Sequence, residues 1–166
     1  MSHSTGLPTV LWANSDRLIA AADMMSSVIL LDASYVSHGE IQTGLSLDGK
    51  SWAPDLAEKM RSDFANLTSD RRVALALVDD ELVGVAVALF QQDERARYVV
   101  LEDVAVAPKA RSYGVGSRLI DFIETEAREL GFQWAFLESG LANEGAHALF
   151  ERKDYRPISK VFCKSL

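Results

Sequence analysis

Several features that mark other classes of protein are scarce or missing in this chain of 166 residues. Cys163 is the only cysteine, so no disulfide can form within the chain, as expected for a reducing compartment. No apolar run reaches the roughly 18 residues that a membrane-spanning helix needs. The first 17 residues lack the basic and apolar regions of a signal peptide. We therefore expect a cytoplasmic protein with no membrane partner.

Positive charge and clustered metal ligands are also scarce. The chain has 17 Lys and Arg against 24 Asp and Glu, a formal net charge of −7. Nucleic-acid-binding proteins carry the opposite balance, so we expect no nucleic-acid partner. His3, His38 and His147 are far apart in the sequence and show no metal-ligand spacing, so we expect no metal site. An acidic surface suits a cationic small molecule or a basic peptide, and it also serves simple solubility.

The apolar segments that are present predict one domain over residues 1–166, with residues 1–8 as a flexible tail. Their order is β-α-α-β-β-β-α-β-α-β, which indicates an α+β fold. Strands are predicted at residues 8–12, 72–78, 81–90, 97–108, 133–139 and 155–164. Helices are predicted at residues 14–29, 55–66 and 143–152. A further helix is predicted between the Gly114/Gly116 pair and Gly131.

Two connections and one residue in this pattern carry specific expectations. Only Asp79 and Asp80 separate two predicted strands, which therefore should form a hairpin. The polar, glycine-containing segment Ser34–Trp52 predicts a long loop or a poorly formed helix, of the kind that often lines a site. Cys163 falls in the last predicted strand and is interpreted as a core residue.

The stretch VAPKARSYGVGSRLI, residues 106–120, places Gly114 and Gly116 at the start of a predicted helix. A helix N-terminus has unpaired backbone N–H groups, and glycines let a ligand approach them closely. The loop is therefore either a tight strand-to-helix turn or an anion site suited to pyrophosphate. The P-loop pattern is absent, and the dinucleotide-binding pattern fails because Leu119 stands at its third glycine position.

The run RSYGVG, residues 111–116, resembles the [RQ]-x-x-G-x-[GA] signature of the GNAT superfamily of N-acetyltransferases, and LEDVAVAP lies directly before it. The resemblance covers about residues 72–160. It implies a mixed, mostly antiparallel sheet of six to seven strands flanked by about four helices. It also implies acetyl-CoA as co-substrate and an amine as acceptor. The cofactor contacts that it implies are Val104, Ala105, Val106, Arg111, Ser112, Tyr113, Gly114, Val115, Gly116, Ser117, Asn143 and Phe150.

Direct transfer of acetyl to an amine needs a base, and three carboxylates are candidates. Glu102 and Asp103 are polar residues inside an apolar strand, and alternation should point one of them into the fold or a cleft. Glu138 lies in LESGLAN, which resembles the L-E-x-x-x-x-N run in which some family members use that Glu as base. Each of the three can instead cap a strand end or pair with an Arg, so the base stays open among them.

The family's usual proton donor to the leaving thiolate is missing, because Phe150 stands where the family usually has Tyr. His147 shares the helix face of Asn143 and Phe150 and is a candidate acid. Tyr113 and Tyr155 are further possibilities, and a thiolate can also leave unaided.

The acceptor is predicted to be a primary amine on a cationic small molecule, because the candidate site is acidic. His38, Glu40, Asp48 and Trp52 are candidate pocket residues. The ending AHALFERKDYRPISKVFCK is similar to aminoglycoside 6′-type acetyltransferases. A protein or peptide acetyltransferase and a non-catalytic acyl-CoA-binding module remain alternatives, and a homodimer is left open.

Overall fold

The computed structural model describes residues 6–166, so the predicted tail at residues 1–8 lies largely outside the described residues. One sheet contains the strands β1 (Thr9–Trp12), β2 (Arg71–Val78), β3 (Glu81–Gln92), β4 (Arg97–Val106) and β5 (Trp134–Leu137). The helices are α1 (Leu18–Ile29), α2 (His38–Gln42), α3 (Leu56–Ala65), α4 (Val115–Glu129) and α5 (Glu144–Arg152). Within residues 6–166, no helix combines the length and apolarity needed to cross a bilayer.

The sheet is mixed, with spatial order β1-β2-β3-β4-β5. The first four strands are antiparallel neighbours, and β5 runs parallel to β4. Helix α4 connects these two parallel strands. The α+β class and the predicted hairpin are confirmed: Asp79 and Asp80 have φ angles of 49° and 62°, as a two-residue type I′ turn requires.

The structure refines one predicted feature and shows that another is wrong. The polar segment contains a short helix, α2, which begins with a capping box between Ser37 and Glu40. The predicted closing strand at residues 155–164 is not formed, so the described sheet has five strands rather than six to seven. Residues 156–166 are exposed, and the core role predicted for Cys163 is wrong. Their strand-like composition finds no neighbouring strand to pair with.

Each face of the sheet carries its own apolar core. On one face, α4 buries Leu119, Ile120 and Ile123 completely, in the stripe that its sequence predicts. On the other face, α1 and α3 contribute Met25 and Leu56. Complete burial of each such side chain stabilises the fold by about 1.5–3 kcal/mol relative to exposure.

A bulge in β4 changes the direction of its side chains. Val87 of β3 pairs with Asp103, whereas the next residue, Ala88, pairs with Leu101, so Glu102 is an extra residue in β4. Leu101 and Val104 both pack into the α4 core, although they are three residues apart. The bulge therefore leaves two consecutive residues, Glu102 and Asp103, outside the α4 core.

Strand β5 is shorter than β4, and this difference opens the fold. β5 pairs with β4 only over Tyr98–Leu101. Beyond Leu101, β4 continues to Val106 with no strand on that side among the described residues. The unpaired half of β4 forms one wall of a cleft.

Candidate active site

The cleft between β4 and β5 has a volume of about 1560 Å³. The segment that contains α2 lines its other side, together with the start of α4 and part of α5. Most of the residues predicted for the site line this cleft, namely Glu102, Asp103, Val104, Ala105, Val106, Arg111, Ser112, Gly114, Val115, Gly116, Ser117, Glu138, Asn143 and Phe150. Tyr113 and His147 are not part of the lining.

The loop before α4 lines the cleft through Ser112 and Gly114. Gly114 has φ 76° and Ser112 has φ 68°, so two left-handed residues turn the chain from β4 into α4. The first backbone bond of α4 runs from Arg118 N to Gly114 O. Within residues 6–166, the N–H groups from Ser112 to Ser117 donate to no backbone oxygen. Free N–H groups at a helix N-terminus form a concave anion site.

The two glycines of this loop have different tasks. A Cβ on Gly114 would meet nothing within 4 Å, so this position needs glycine for its backbone angle and leaves the approach to the N–H groups open. A Cβ on Gly116 would lie 3.3 Å from Leu149 Cδ2 and 3.6 Å from Val106 Cγ2. Gly116 therefore lets α4 pack closely against α5 and the end of β4.

One basic residue of the loop lines the cleft on the side of α2. The Arg111 guanidinium donates to the hydroxyl of Tyr35 at 3.3 Å and to the backbone oxygen of Val106 at 3.4 Å. Lys109 instead pairs with Glu81 on β3 and does not line the cleft. Tyr35 is the cleft-lining tyrosine, and sequence reasoning missed it.

Glu102 and Asp103 both line the cleft, whereas strict alternation predicts only one of them there. The β4 bulge is the reason. Glu102 accepts two hydrogen bonds from the Arg71 guanidinium, at 2.7 and 2.8 Å. The sequence left pairing with an Arg open as the alternative to a catalytic role for Glu102, and Arg71 is that partner.

Asp103 has a different environment from Glu102. Burial raises the pKa of Asp103 to about 7, and the carboxylates of Glu40 and Glu102 add to the increase. Arg71 opposes it, and Asp63 contributes a smaller increase. A carboxyl group with this pKa changes between its neutral and charged forms close to neutral pH.

Glu138 meets a partner from the α2 segment. His38 Nε2 lies 3.2 Å from Glu138 Oε2, with the Glu138 side chain 53% exposed. The backbone at Gly140 lies in close contact with the backbone at Ser34, because a Cβ on Gly140 would lie 2.5 Å from Ser34 O. Sequence reasoning considered His38 for the pocket but missed its pairing with Glu138, since 100 positions separate the two residues and no motif joins them.

The remaining predicted acids are directed elsewhere. The Tyr155 hydroxyl donates to Glu124 on α4 at 2.8 Å, and burial together with Glu124 raises the pKa of Tyr155. Phe150 packs edge-to-face against Tyr155, with ring centroids 6.3 Å apart. Asn143 caps α5 by accepting from Ala146 N at 3.3 Å. The acid role predicted for His147 stays a prediction.

Two buried polar atoms in the cleft lining have no hydrogen-bond partner within the described residues, Trp52 Nε1 and Ser139 Oγ. Of the predicted pocket residues, His38, Glu40 and Trp52 line the cleft, but Asp48 does not. Asp48 instead shapes a surface turn, accepting from Lys50 N and Ser51 N at 2.8 Å each.

Known proteins resemble this chain in sequence and in fold. The chain is 29% identical over 114 residues to aminoalkylphosphonate N-acetyltransferase of Salmonella typhimurium, a match that covers 66% of this chain and 73% of that protein. Its fold resembles the ribosomal-protein-alanine N-acetyltransferase of Brucella melitensis biovar Abortus 2308, with TM-score 0.69, 13% identity and coverage of 96% and 99% of the two chains.

A third resemblance is to an aminoglycoside N-acetyltransferase solved in complex with CoA, with TM-score 0.68, 15% identity and coverage of 96% and 94% of the two chains. At these identities, the structural likenesses establish the fold alone. The family model described as the acetyltransferase (GNAT) family matches residues 41–155, which include the free N–H groups of the α4 loop and the open half of β4. The chain therefore belongs to the GNAT family and is an N-acetyltransferase.

Proposed function

We propose that this enzyme transfers the acetyl group of acetyl-CoA to a primary amine on a cationic small molecule. The observation that carries the proposal is the group of carboxylates in the cleft. Glu40, Asp63 and Glu102 all act on the pKa of Asp103, and Arg71 is the cation that opposes them. Three carboxylates against one guanidinium around Asp103 give this part of the cleft an excess of negative charge, which attracts a cationic acceptor and disfavours an anionic one.

The residues of the α4 loop fit the co-substrate. The free N–H groups of Ser112–Ser117 suit a pyrophosphate, and the open approach at Gly114 leaves room for it. Val104–Val106 pair with β3 on one edge, and their other edge, beyond the end of β5, is suited to pair with the extended pantetheine arm as an added strand would. Acetyl-CoA supplies the activated thioester, and the GNAT family uses it in this way.

Asp103 is the base that we propose. An ammonium group must lose a proton before its nitrogen can attack a thioester, and a base with a pKa near the working pH is the most effective acceptor. The pKa of about 7 gives Asp103 that property. Glu138, held by His38 at 3.2 Å, lies at the end of β5 on the other side of the opening and is proposed to bind and orient the acceptor.

The leaving thiolate is proposed to depart without a side-chain acid. Phe150 has no hydroxyl, the Tyr155 hydroxyl is bonded to Glu124, and His147 does not line the cleft. A thiol is far more acidic than an alcohol, so its anion is an adequate leaving group.

A turnover screen with acetyl-CoA tests the proposed acceptor class. The panel contains polyamines, aminoglycosides, amino acids, basic peptides and aminoalkylphosphonates, the last because the Salmonella relative is named for them. We expect the highest kcat/KM for a small polycation. Its KM should rise with added salt, because exposed charges are screened over about 8 Å at physiological ionic strength.

Two results would contradict the proposed acceptor. The first is a preference for an acceptor with net negative charge. The second is a KM for the preferred amine that does not change with salt. A preference for basic peptides over small amines would instead move the function to the peptide alternative.

A further inference from the structure

The loop that follows β5 meets the α2 segment, defined here as residues 33–43, at a buried glycine. A Cβ on Gly140 would lie 2.5 Å from Ser34 O and 2.7 Å from Val36 O, closer than a Cβ approaches such atoms in real proteins. The φ of Gly140 is not in the left-handed region, so its backbone angle does not require glycine. Gly140 is therefore needed for the close contact with the α2 segment.

The two sides of this contact are held with different firmness. On one side, Leu137 packs against the α4 core, and Gly140 O accepts a hydrogen bond from Asn143 N at 3.0 Å, directly before α5. On the other side, every residue of the α2 segment is half-buried or exposed. A side chain added at Gly140 should therefore displace the α2 segment rather than the loop after β5.

The α2 segment carries two charged groups into the cleft. His38 Nε2 lies 3.2 Å from Glu138 Oε2. Glu40 is, after burial, the largest cause of the raised pKa of Asp103. The N–H and the hydroxyl of Ser37 both donate to Glu40 Oε2 at 2.6 Å, so Glu40 is tied to its own segment. Both groups should consequently move with the α2 segment.

We propose that Gly140 is a positioning residue for the acetyl acceptor, because its close backbone contact seats the α2 segment and thereby places His38 and Glu40 in the cleft. This inference rests on the proposed acceptor side of the cleft. The same segment is also held at the loop before α4, where the Tyr35 hydroxyl accepts from the Arg111 guanidinium at 3.3 Å. The α2 segment thus spans the cleft between two attachments, and Gly140 provides the one beside the acceptor.

Gly140→Ala adds one methyl group and should move the α2 segment outward. The pKa of Asp103 should then fall below its wild-type value of about 7, because Asp103 becomes less buried and Glu40 moves away. The KM of the best amine in the turnover screen should rise about fivefold or more. Acetyl-CoA affinity should stay near that of the wild type. The other charged groups around Asp103 lie on β2, β4 and α3 and stay in place, namely Arg71, Glu102 and Asp63.

Carboxyl carbon NMR of the full-length enzyme without ligands measures the pKa of Asp103 directly, and the Asp103→Asn variant identifies its signal. Gly145→Ala is the matched control, because a Cβ on Gly145 in α5 would meet nothing within 4 Å. This control should keep the wild-type pKa of Asp103 and the wild-type KM of the amine. Circular dichroism verifies that each variant is folded.

A double-variant cycle with Glu40 tests how the added methyl group acts. Glu40→Gln removes the charge but keeps a side-chain oxygen for the capping box. It should lower the pKa of Asp103 by itself. In this background, Gly140→Ala should lower the pKa of Asp103 by less than it does in the wild type, because the charge that it displaces is already gone.

Four results would overturn the proposal. The first is an unchanged pKa of Asp103 in folded Gly140→Ala. The second is an equal effect of Gly140→Ala with and without the Glu40 charge. The third is an equal effect of Gly145→Ala. The fourth is an unchanged KM for an amine that the enzyme acetylates. If Gly140→Ala does not fold, Tyr35→Phe frees the other attachment of the segment, and an unchanged pKa of Asp103 in that variant overturns the proposal equally.

Failure of the proposed function would look different from failure of this inference. The NMR titration uses the free enzyme and needs no turnover, so it does not depend on the acceptor or on Asp103 as the base. A lowered pKa of Asp103 in Gly140→Ala, together with a preference for an anionic acceptor, would contradict the proposed acceptor class and leave the seating of the α2 segment supported.

Discussion

The two sides of the cleft are built from different chemical groups. The proposed cofactor side, defined by Val104–Val106 and Arg111–Ser117, offers mainly backbone N–H and C=O groups. The proposed acceptor side, defined by the carboxylates around Asp103 and by the His38–Glu138 pair, offers charged side chains. Backbone groups suit a ligand that is the same for a whole family, whereas side chains can change with the acceptor. Mutations on the two sides should therefore affect different ligands.

The largest expected effect is on the cofactor side. Gly116→Asp adds a negative charge beside the free N–H groups and a Cβ only 3.3 Å from Leu149 Cδ2. We expect acetyl-CoA affinity to fall on the order of 100-fold, about 3 kcal/mol, measured by calorimetry. Gly116→Asn is the matched control of similar size without the charge, and it should lose less. Unchanged affinity in Gly116→Asp would refute the assignment of this loop.

The next effect is on the acceptor side. Asp103→Asn should lower kcat by about 100- to 10,000-fold, the usual range for loss of a general base. Acetyl-CoA affinity should stay near that of the wild type. The pKa of Asp103 is about 7, so wild-type activity should fall as the pH drops through 7. That acid limb should disappear in the variant, and a retained limb would exclude Asp103 as the base.

The stability of the same variant provides an independent check on Asp103. Its pKa is raised from the ordinary value of 3.8 to about 7 on folding, so the folded state binds the proton more tightly than the unfolded state. This group therefore makes the wild type less stable as the pH rises from about 4 to 7. Thermal unfolding should show Asp103→Asn gaining stability relative to the wild type at pH 8, compared with pH 4.

A smaller effect is expected at the His38–Glu138 pair. Removing either partner should raise the KM of the amine by roughly tenfold, because one coupled pair is worth about 0.5–3 kcal/mol. The double variant should cost little more than either single variant, since both remove the same contact. His38→Gln keeps a donor and should restore part of the loss. Additive effects in steady-state kinetics would indicate that the two residues act separately.

The smallest expected effect is a pair of opposite shifts in the pH at which kcat/KM falls on the acidic side. Arg71 lowers the pKa of Asp103, and Glu102 raises it. Arg71→Gln should move the acid limb to higher pH and Glu102→Gln to lower pH, each by less than about one unit. Measuring kcat/KM against pH for both variants tests the sign. Shifts in the same direction would mean that Asp103 is not the group that titrates.

The sequence predicted the local geometry of the proposed cofactor side better than the contacts of the proposed acceptor side. The residues from Val104 to Ser117 are consecutive, so one motif and the local rules for a helix start were sufficient to place them. The stripe on α4 and the Asp79–Asp80 turn are equally local, and both were predicted. These features depend on neighbours in the chain rather than on the tertiary fold.

The acceptor side depends on contacts between distant parts of the chain. Nothing near His38 signals that it meets Glu138, and nothing near Arg71 signals its bond to Glu102. The bulge in β4 broke the alternation that predicted only one of Glu102 and Asp103 at the cleft. The predicted closing strand was wrong because composition describes only what a segment can form, and residues 156–166 lie exposed without joining the described sheet.

The bulge at Glu102 has a consequence for the insertions and deletions that β4 can tolerate. The bulge holds one extra residue, Glu102, which has no partner of its own on β3. Removing Glu102 would therefore leave an unbroken strand in which Val104 still faces the α4 core. The shortened strand would keep a single carboxylate at the cleft. Removing Val100 instead would leave the bulge in place and turn Val99 away from that core. The bulge is thus a place where the gene can lose one codon and still encode the same sheet.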